Sequence, residues 1–402
     1  MRRRGHFALA AVGMVAMVAL ALSACGSQQS SISKEKLKIG VVLALSGPAG
    51  AFGTASLAGT EIAVGEINKS GGILGRQVEL VVRDDAGDPT KSRTSTEELV
   101  EKEKVAFIVG PTNSSQALAV QPYLTEKKVA NIGSFAAAAA IDPKTFPYAF
   151  TNAPNNSFMA LTISDYAANN LKVSKIALLA EATALGKEVQ GLLQPLFEAK
   201  KVPLVAVEEY KVADLDYTAQ LRKVKSAGAE ALIIWSGNAT DFVRFIKNLQ
   251  SMGWDVPVLG PSSLTDPAVV AGAGADGLKK AYAQTARSLS FPSGKTLPQK
   301  TADFREKLRA KLNGENPIKS SLVLTSAFYD SMYLVREAAN KANSMEGDKL
   351  KGVLESLQQW PGVFATWTYT PTMHMGLGED DGTMVLPASC NDGACEKAPN
   401  AP

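Results

Sequence analysis

Histidine and cysteine are scarce in this sequence of 402 residues, which contains two histidines and three cysteines. Nucleophilic catalysis by a hydroxyl or thiol needs a neighbouring base, and His6 lies in an N-terminal segment typical of an export signal. His374 is therefore the one histidine left for a Ser/His/Asp arrangement, and nothing in the spacing indicates that it reaches a serine loop. A lone histidine in a turn is more often a hydrogen-bonded structural residue, and we expect this of His374.

Other catalytic motifs are also absent. The sequence has no G-x-S-x-G elbow, no G-x-x-x-x-G-K-[ST] loop, no strand followed by G-x-G-x-x-G, and no His/Cys/acid cluster at metal-ligand spacing. The acidic run from Arg83 to Asp88 lacks the later acidic ligand of an EF-hand, so we interpret it as a solvated turn leading into a helix at Pro89. We predict no enzyme, no metal and no cofactor; an exported hydrolase using Ser114 or Ser115 is the weakest alternative.

The N-terminus is typical of a bacterial lipoprotein signal. Three arginines precede an apolar run that ends in Leu-Ser-Ala-Cys-Gly at residues 22–26, and the run is too short to favour a permanent membrane span. We predict cleavage of residues 1–24, lipidation of Cys25 and a flexible tether over residues 25–36. The chain would then be exported and anchored to the cell membrane, facing the periplasm or the exterior. An ordinary signal peptide with a chance cysteine is the alternative.

Charge and cysteine content limit the partners of the mature chain. Removing 24 residues leaves 378, enough for two domains, and lowers the basic count from 42 to 39, equal to the 39 acidic residues. A neutral chain without clusters of basic residues lacks the positive surface that nucleic-acid binding requires, so we predict no nucleic-acid partner. Cys390 and Cys395 lie together in SCNDGAC, which indicates a short disulfide loop in an exported protein. A metal site is the alternative, although two thiols without a nearby histidine make a poor zinc shell.

Apolar runs alternate with amphipathic segments from Lys36 onward, as in parallel sheets covered by helices on both faces. The predicted strands form two series, at residues 39–45, 78–82, 106–109 and 129–132, and at 176–180, 202–207, 231–235 and 256–259. We therefore predict an α/β fold of two similar doubly wound parallel-sheet lobes. A small solute is expected between them, at loops that leave the carboxyl ends of strands. These loops are residues 46–53, 110–116, 133–140, 181–186, 236–241 and 260–266.

Four segments carry a resemblance to a known family. They are LKIGVVLALSGPAGAFG, AGTEIAVGEINKSGGILGRQVELVVRDDAGDP, IVGPTNSSQALAVQPYL and YTPTMHMGL. The chain resembles the type I solute-binding proteins of ABC transporters, of the leucine/isoleucine/valine-binding branch, over nearly all of the mature sequence. The Gly-Gly-Ile-x-Gly-Arg and Asp-Asp-x-x-Asp-Pro sequences, in this order, are the most specific part.

The resemblance implies two lobes joined by three hinge strands. Lobe 1 would comprise residues 37–151 and 286–360, and lobe 2 residues 152–285 and 361–402, with crossings near Asn152, Thr285 and Trp360. Closure on the solute would present a monomeric, loaded protein to a membrane permease. A ligand-sensing regulatory protein that uses the same cleft is the alternative.

The resemblance also implies residue roles. Ser114 would give its hydroxyl to a ligand carboxylate, helped by backbone N–H groups near Ser115 and around Ala136 and Ala137. The family holds the ligand ammonium with a carbonyl at the position of Phe135, a threonine at that of Ala137 and an acid at that of Ser262. The threonine and the acid are missing here, and a buried ammonium without a carboxylate is costly. We therefore predict that the ligand is not a zwitterionic amino acid bound in the usual way.

The remaining positions predict the shape of the pocket. Phe52, Phe135 and Leu185 would form apolar walls, and Asn238, Ser262 and Ser263 would supply neutral polar groups. A small organic acid with an apolar or aromatic body suits this pocket best. An amide or urea-like solute, or a branched-chain amino acid bound atypically, is the alternative.

Overall fold

The computed structural model of the protein describes residues 35–47, 49–236, 239–315, 318–378 and 381–402. The predicted signal, the lipidation site Cys25 and all but the last two residues of the predicted tether lie outside the described residues. No helix of the described part has both the length and the apolar character needed to cross a membrane.

The strands form two main sheets. They are β1 Leu37–Leu43, β2 Val78–Asp84, β3 Ile108–Val109, β4 Asn131–Gly133, β5 Ala149–Thr151, β6 Ile176–Glu181, β7 Leu204–Tyr210, β8 Ala231–Trp235, β9 Val258–Gly260, β10 Ala281–Ala286, β11 Ser290–Phe291, β12 Trp360–Pro361, β13 Thr366–Trp367, β14 Gly382–Val385 and β15 Cys395–Glu396. The first sheet has the order β2-β1-β3-β4-β5, and the second has the order β14-β10-β9-β8-β6-β7. All neighbours in both sheets are parallel except β14, which is antiparallel to β10.

Helices cover the sheets. They are α1 Gly50–Lys69, α2 Pro89–Glu101, α3 Ser114–Lys127, α4 Ala138–Ile141, α5 Asn156–Asp165, α6 Ala184–Ala199, α7 Thr218–Ser226, α8 Ala239–Ser251, α9 Pro267–Leu278, α10 Gln299–Lys311, α11 Leu322–Ala342 and α12 Gly347–Leu354. Short 3₁₀ turns occur at Ser262–Thr265, Arg287–Leu289 and Pro387–Ser389. Because helices cover the parallel strands, β6 and β8 are buried along their whole length.

The predicted α/β fold with two similar sheets is confirmed. Each of the eight predicted strands overlaps an observed strand. The helical spacing of the sequence also predicts one apolar stripe along α8, and its residues Phe242, Phe245, Ile246 and Leu249 are buried. Asp88 caps α2, where its side chain accepts a hydrogen bond from the Lys91 N–H, as the Asp-Pro turn predicts. Within the two main sheets, β5, β10 and β14 were not predicted, because β5 has three residues and the others lack a continuous apolar run.

The segment after β13 contacts the first sheet. The Tyr369 hydroxyl donates to the Thr151 carbonyl oxygen at 3.2 Å, and the Thr151 N–H donates to the His374 carbonyl oxygen at 2.9 Å. Farther on, β14 joins the second sheet. The predicted assignment of residues 361–402 to lobe 2 stays a prediction, and these contacts favour a third crossing between residues 376 and 382.

The first lobe depends on a close approach of α1 and α11. A Cβ atom at Gly59 would lie 2.0 Å from the carbonyl oxygen of Thr325, so only glycine allows this distance between the helix backbones. Gly65, in the same helix, is exposed, and a Cβ atom there would have nothing within 4 Å. The two glycines therefore form a matched pair for mutation.

We expect Gly59→Ala to lower the free energy of unfolding by about 1–3 kcal/mol, because α11 must move away to admit the methyl group. Gly65→Ala should raise it by about 0.5–1 kcal/mol through helix propensity. Urea denaturation of both variants measures the difference. Equal effects of the two substitutions would show that a methyl group at position 59 does not disturb the packing of α1 against α11.

Candidate functional site

The carboxyl ends of the strands meet at a cleft between the sheets. The strand order reverses between β1 and β3 in the first sheet, and between β6 and β8 in the second. Ligands of open parallel sheets bind at such switch points. The loops after these four strands, with those after β4 and β9, supply most of a cavity of about 740 Å³.

The cavity wall contains eight of the nine predicted ligand-binding residues. These are Phe52, Ser114, Ser115, Phe135, Ala136, Ala137, Leu185 and Ser262. Asn238 lies outside the described residues. Ser263 also lines the cavity, where its hydroxyl donates to the Ser236 carbonyl oxygen at 2.9 Å. The structure thus brings the predicted residues together, and their roles toward a ligand stay predictions.

The loop before α3 is capped by its own side chain. The Asn113 Oδ1 accepts hydrogen bonds from the N–H groups of Ser115 at 3.1 Å and Gln116 at 3.3 Å. The Ser115 hydroxyl donates to the same oxygen at 2.8 Å. Asn113 therefore satisfies the first turn of the helix. The Ser115 N–H group, which the prediction assigned to the ligand, and the Ser115 hydroxyl are both engaged within the loop.

Ser114 is held differently. Its Oγ accepts hydrogen bonds from the Ala136 N–H at 3.2 Å and the Ala137 N–H at 3.1 Å. A hydroxyl has one proton and two acceptor lone pairs, so two bound amides leave the O–H free to donate. The Ala136 and Ala137 amides are thus bound to Ser114 in this structure, and the Ser114 residue lines the cavity.

Carboxylates on the second-lobe side of the cavity were missed by the sequence analysis. Glu181, Glu188 and Asp266 all line it. Burial raises the pKa of the Asp266 carboxyl, and its hydrogen bond from the Ala268 N–H opposes that rise. Glu181 ends β6, where the Ser236 hydroxyl donates to it at 3.4 Å. Their positions at or after the carboxyl ends of predicted strands were the available signal, whereas the family resemblance places the acidic position at Ser262.

His374 is not among the residues that line the cavity. Its Nδ1 lies 2.9 Å from the Ala149 carbonyl oxygen and its Nε2 lies 3.0 Å from Glu355 Oε1, while the ring stacks on Phe150. Burial lowers the pKa of His374, against the opposing effect of Glu355. Both ring nitrogens are engaged between β5 and α12, as expected of a structural histidine. No cluster of three or more potential metal-ligating His, Cys, Asp or Glu occurs among the described residues.

The two sheets and their shared cleft define a type I periplasmic binding protein fold. The chain belongs to the family described as "Periplasmic binding protein", whose pattern it matches over residues 36–381.

Among curated proteins, the chain is 28% identical to Leu/Ile/Val-binding protein homolog 3 of Brucella melitensis over 237 residues, which are 59% of this chain and 64% of the relative. The match therefore spans less than two thirds of that relative. The chain is 23% identical to the leucine-, isoleucine-, valine-, threonine- and alanine-binding protein of Pseudomonas aeruginosa, covering 89% of this chain and 90% of the relative.

Solved structures show the same fold. The branched-chain amino acid transporter substrate-binding protein LivJ of Streptococcus pneumoniae, in complex with isoleucine, has a TM-score of 0.77 and 26% identity, covering 92% of this chain and all of that one. An ABC transporter substrate-binding protein from Sphaerobacter thermophilus has a TM-score of 0.75 and 25% identity, covering 87% of this chain and 92% of that one.

We expect Ser114→Ala to lower the free energy of unfolding by roughly 1–3 kcal/mol without any ligand, because the Ala136 and Ala137 N–H groups lose their acceptor. Ser115→Ala is the matched control, since Asn113 Oδ1 keeps its two backbone donors there. Urea denaturation compares the two variants. A larger loss for Ser115→Ala would contradict the assignment of Ser114 as the residue that holds this loop.

Proposed function

We propose that the protein is the extracytoplasmic, lipid-anchored substrate-binding subunit of an ABC importer of the branched-chain amino acid type. Family membership supports a binding rather than a catalytic role, and the similarity to LivJ supports the transporter class. The lipoprotein signal supports export and attachment through Cys25. The protein would act as a monomer that binds a small solute between its lobes and delivers it to a membrane permease.

The ligand proposal is based on the two backbone N–H groups that donate hydrogen bonds to the Ser114 hydroxyl oxygen. Because Ala136 and Ala137 occupy its acceptor positions, the hydroxyl donates into the cleft and selects a hydrogen-bond acceptor. Apolar surface from Phe52 and Leu185 lines the same cavity. A small carboxylate with an apolar or aromatic body fits both features, since its charged end meets the donor and its body is removed from water.

A branched-chain amino acid bound atypically is the second candidate. Two observations favour it: the Glu181 and Asp266 carboxylates line the cavity, and the relatives are named for branched-chain amino acids. An ammonium group is disfavoured only by Ala137 and Ser262, which stand where the family has a threonine and an acid. Carboxylates elsewhere in the second lobe could pair with that ammonium, so the substitution at Ser262 does not by itself exclude a zwitterion.

Isothermal titration calorimetry with matched ligands separates the two candidates. Leucine and 4-methylpentanoate differ only by the α-ammonium group, as isoleucine and 3-methylpentanoate do. We expect the amine-free acids to bind more tightly, because the described first-lobe residues that line the pocket include no carboxylate to pair with an ammonium. Ser114→Ala should weaken that binding by roughly 1.5–3 kcal/mol, a factor of about 10 to 150.

Tighter binding of the amino acids than of the amine-free acids would favour the second candidate, a branched-chain amino acid bound atypically. Tighter binding of leucine, lost in Asp266→Asn or Glu181→Gln, would replace the organic acid with an atypically bound amino acid. If neither ligand pair binds, a thermal-shift screen of aromatic acids, amides and ureas follows. Absence of any ligand in that screen would contradict the role in solute uptake.

A further inference from the structure

A hairpin near the C-terminus is closed by the disulfide between Cys390 and Cys395. This confirms the predicted pairing. Inside it, the N–H of Asn391 donates to the Ala394 carbonyl oxygen at 2.9 Å, and the N–H of Ala394 donates back at 3.1 Å. Asp392 and Gly393 have positive φ, of 50° and 75°. Two central residues with positive φ are characteristic of a type I′ turn, for which Asp-Gly is a preferred sequence. We refer to residues 390–395 as the disulfide turn.

The base of the disulfide turn packs on the second sheet, and β15 also pairs with β11, which follows β10 at the predicted second crossing. Cys395 is buried in the core of the second sheet, together with Val385 of β14. The Leu386 N–H donates to the Glu396 carbonyl oxygen at 2.9 Å, which joins the strand after the turn to β14. The preceding 3₁₀ turn, Pro387–Ser389, packs against α9. The burial of Cys395 and the bond to β14 therefore attach the base of the turn to the second sheet.

The tip of the disulfide turn is held by the first lobe. The Asp392 carboxylate accepts hydrogen bonds from Arg309 Nη2 at 2.5 Å and from the Ile318 N–H at 2.7 Å, and the residue is 7% exposed. A Cβ atom at Gly393 would lie 2.5 Å from the Leu322 Cβ. Arg309 and Leu322 lie on α10 and α11, which pack against α1. The tip of this short hairpin thus binds the first lobe, whereas its base is attached to the second sheet and to β11 at the crossing.

The contact lies at the ligand cavity, since Gly393 and Leu322 both line it. A relative movement of the lobes that separates α10 and α11 from the second sheet must break the bonds of Asp392 or bend the disulfide turn. Breaking these bonds leaves a buried carboxylate without its charged partner, which is costly. Bending is resisted by the covalent bond across the base of the hairpin.

We propose that the disulfide turn is an interlobe tether, and that Asp392 is the positioning residue that limits the separation of the lobes. The tether acts on the ligand-free protein, whichever solute the cleft accepts. Asp392 also has one bond to a backbone amide and one to a charged side chain. The Arg309 side chain keeps Glu306 as a partner when Asp392 is removed, so the substitution does not strand a second charge.

Small-angle X-ray scattering of the purified, ligand-free protein tests the tether. We expect Asp392→Ala, and the double substitution Cys390→Ser with Cys395→Ser, to increase the radius of gyration and extend the distance distribution. The matched control is Asp255→Ala, which removes a carboxylate paired with Lys280 at 2.7 Å within the second lobe. The control should give the scattering profile of the unchanged protein.

Hydrogen exchange at the Ile318 amide supplies the second readout. Exchange should become faster in Asp392→Ala, because this amide donates to the removed carboxylate. Faster exchange with an unchanged scattering profile would overturn the proposal, since the turn would then be local structure without an effect on the lobes. Unchanged exchange would also overturn it. If circular dichroism shows that Asp392→Ala does not fold, Arg309→Gln replaces it, with the same expansion expected and an unchanged profile contradicting the tether.

Discussion

Parallel strands deliver their carboxyl ends to one edge of a sheet, and here two sheets direct those edges at a shared cleft. The position of every candidate ligand contact depends on this constraint. In the first sheet, Ser114 follows β3 and Ala136 and Ala137 follow β4, so neighbouring strands bring the hydroxyl and its two amide donors together. Substitutions in these loops can then change which ligand binds without changing the sheets.

The cleft combines opposite electrostatic preferences at its two sides. The first-lobe side holds the Ser114 hydroxyl with its two bound backbone amides, whereas the second-lobe side carries Glu181 and Asp266. Desolvation raises the pKa of Asp266, so a cation in the cleft would stabilise its charged form and a carboxylate would favour its protonation. The charge on the ligand therefore determines which side of the cleft makes the stronger interaction with it. Contacts between the lobes, including that of Asp392, determine how closely the two sides approach.

Local patterns predicted most of the fold. The apolar runs located eight strands, the stripe on α8 located its buried face, and the Asp-Pro sequence at residue 88 located a helix start. These features depend on residues within one element or turn. The antiparallel position of β14 depends on a chain that returns from the other lobe, and no local pattern encodes that return.

The candidate site could be predicted in part, for the same reason. Ser114 was identified from the sequence. Its role as acceptor for the N–H groups of Ala136 and Ala137 was not, because those residues lie 22 and 23 positions farther along the chain, in another loop. The pairing of Arg309 with Asp392 spans 83 residues and gives no periodic signal. Asp266 is visible as a helix cap before Pro267, and only the folded arrangement shows that it also lines the cavity.

The position of a ligand carboxylate in the cleft is the central claim. A crystal structure of the protein with the tightest-binding carboxylate from the matched ligand pairs measures it most directly. We predict a carboxylate oxygen at hydrogen-bond distance, about 2.5–3.0 Å, from Ser114 Oγ, with the apolar body against Phe52 and Leu185. A carboxylate bound away from Ser114, or a ligand bound outside the cleft, would contradict the account.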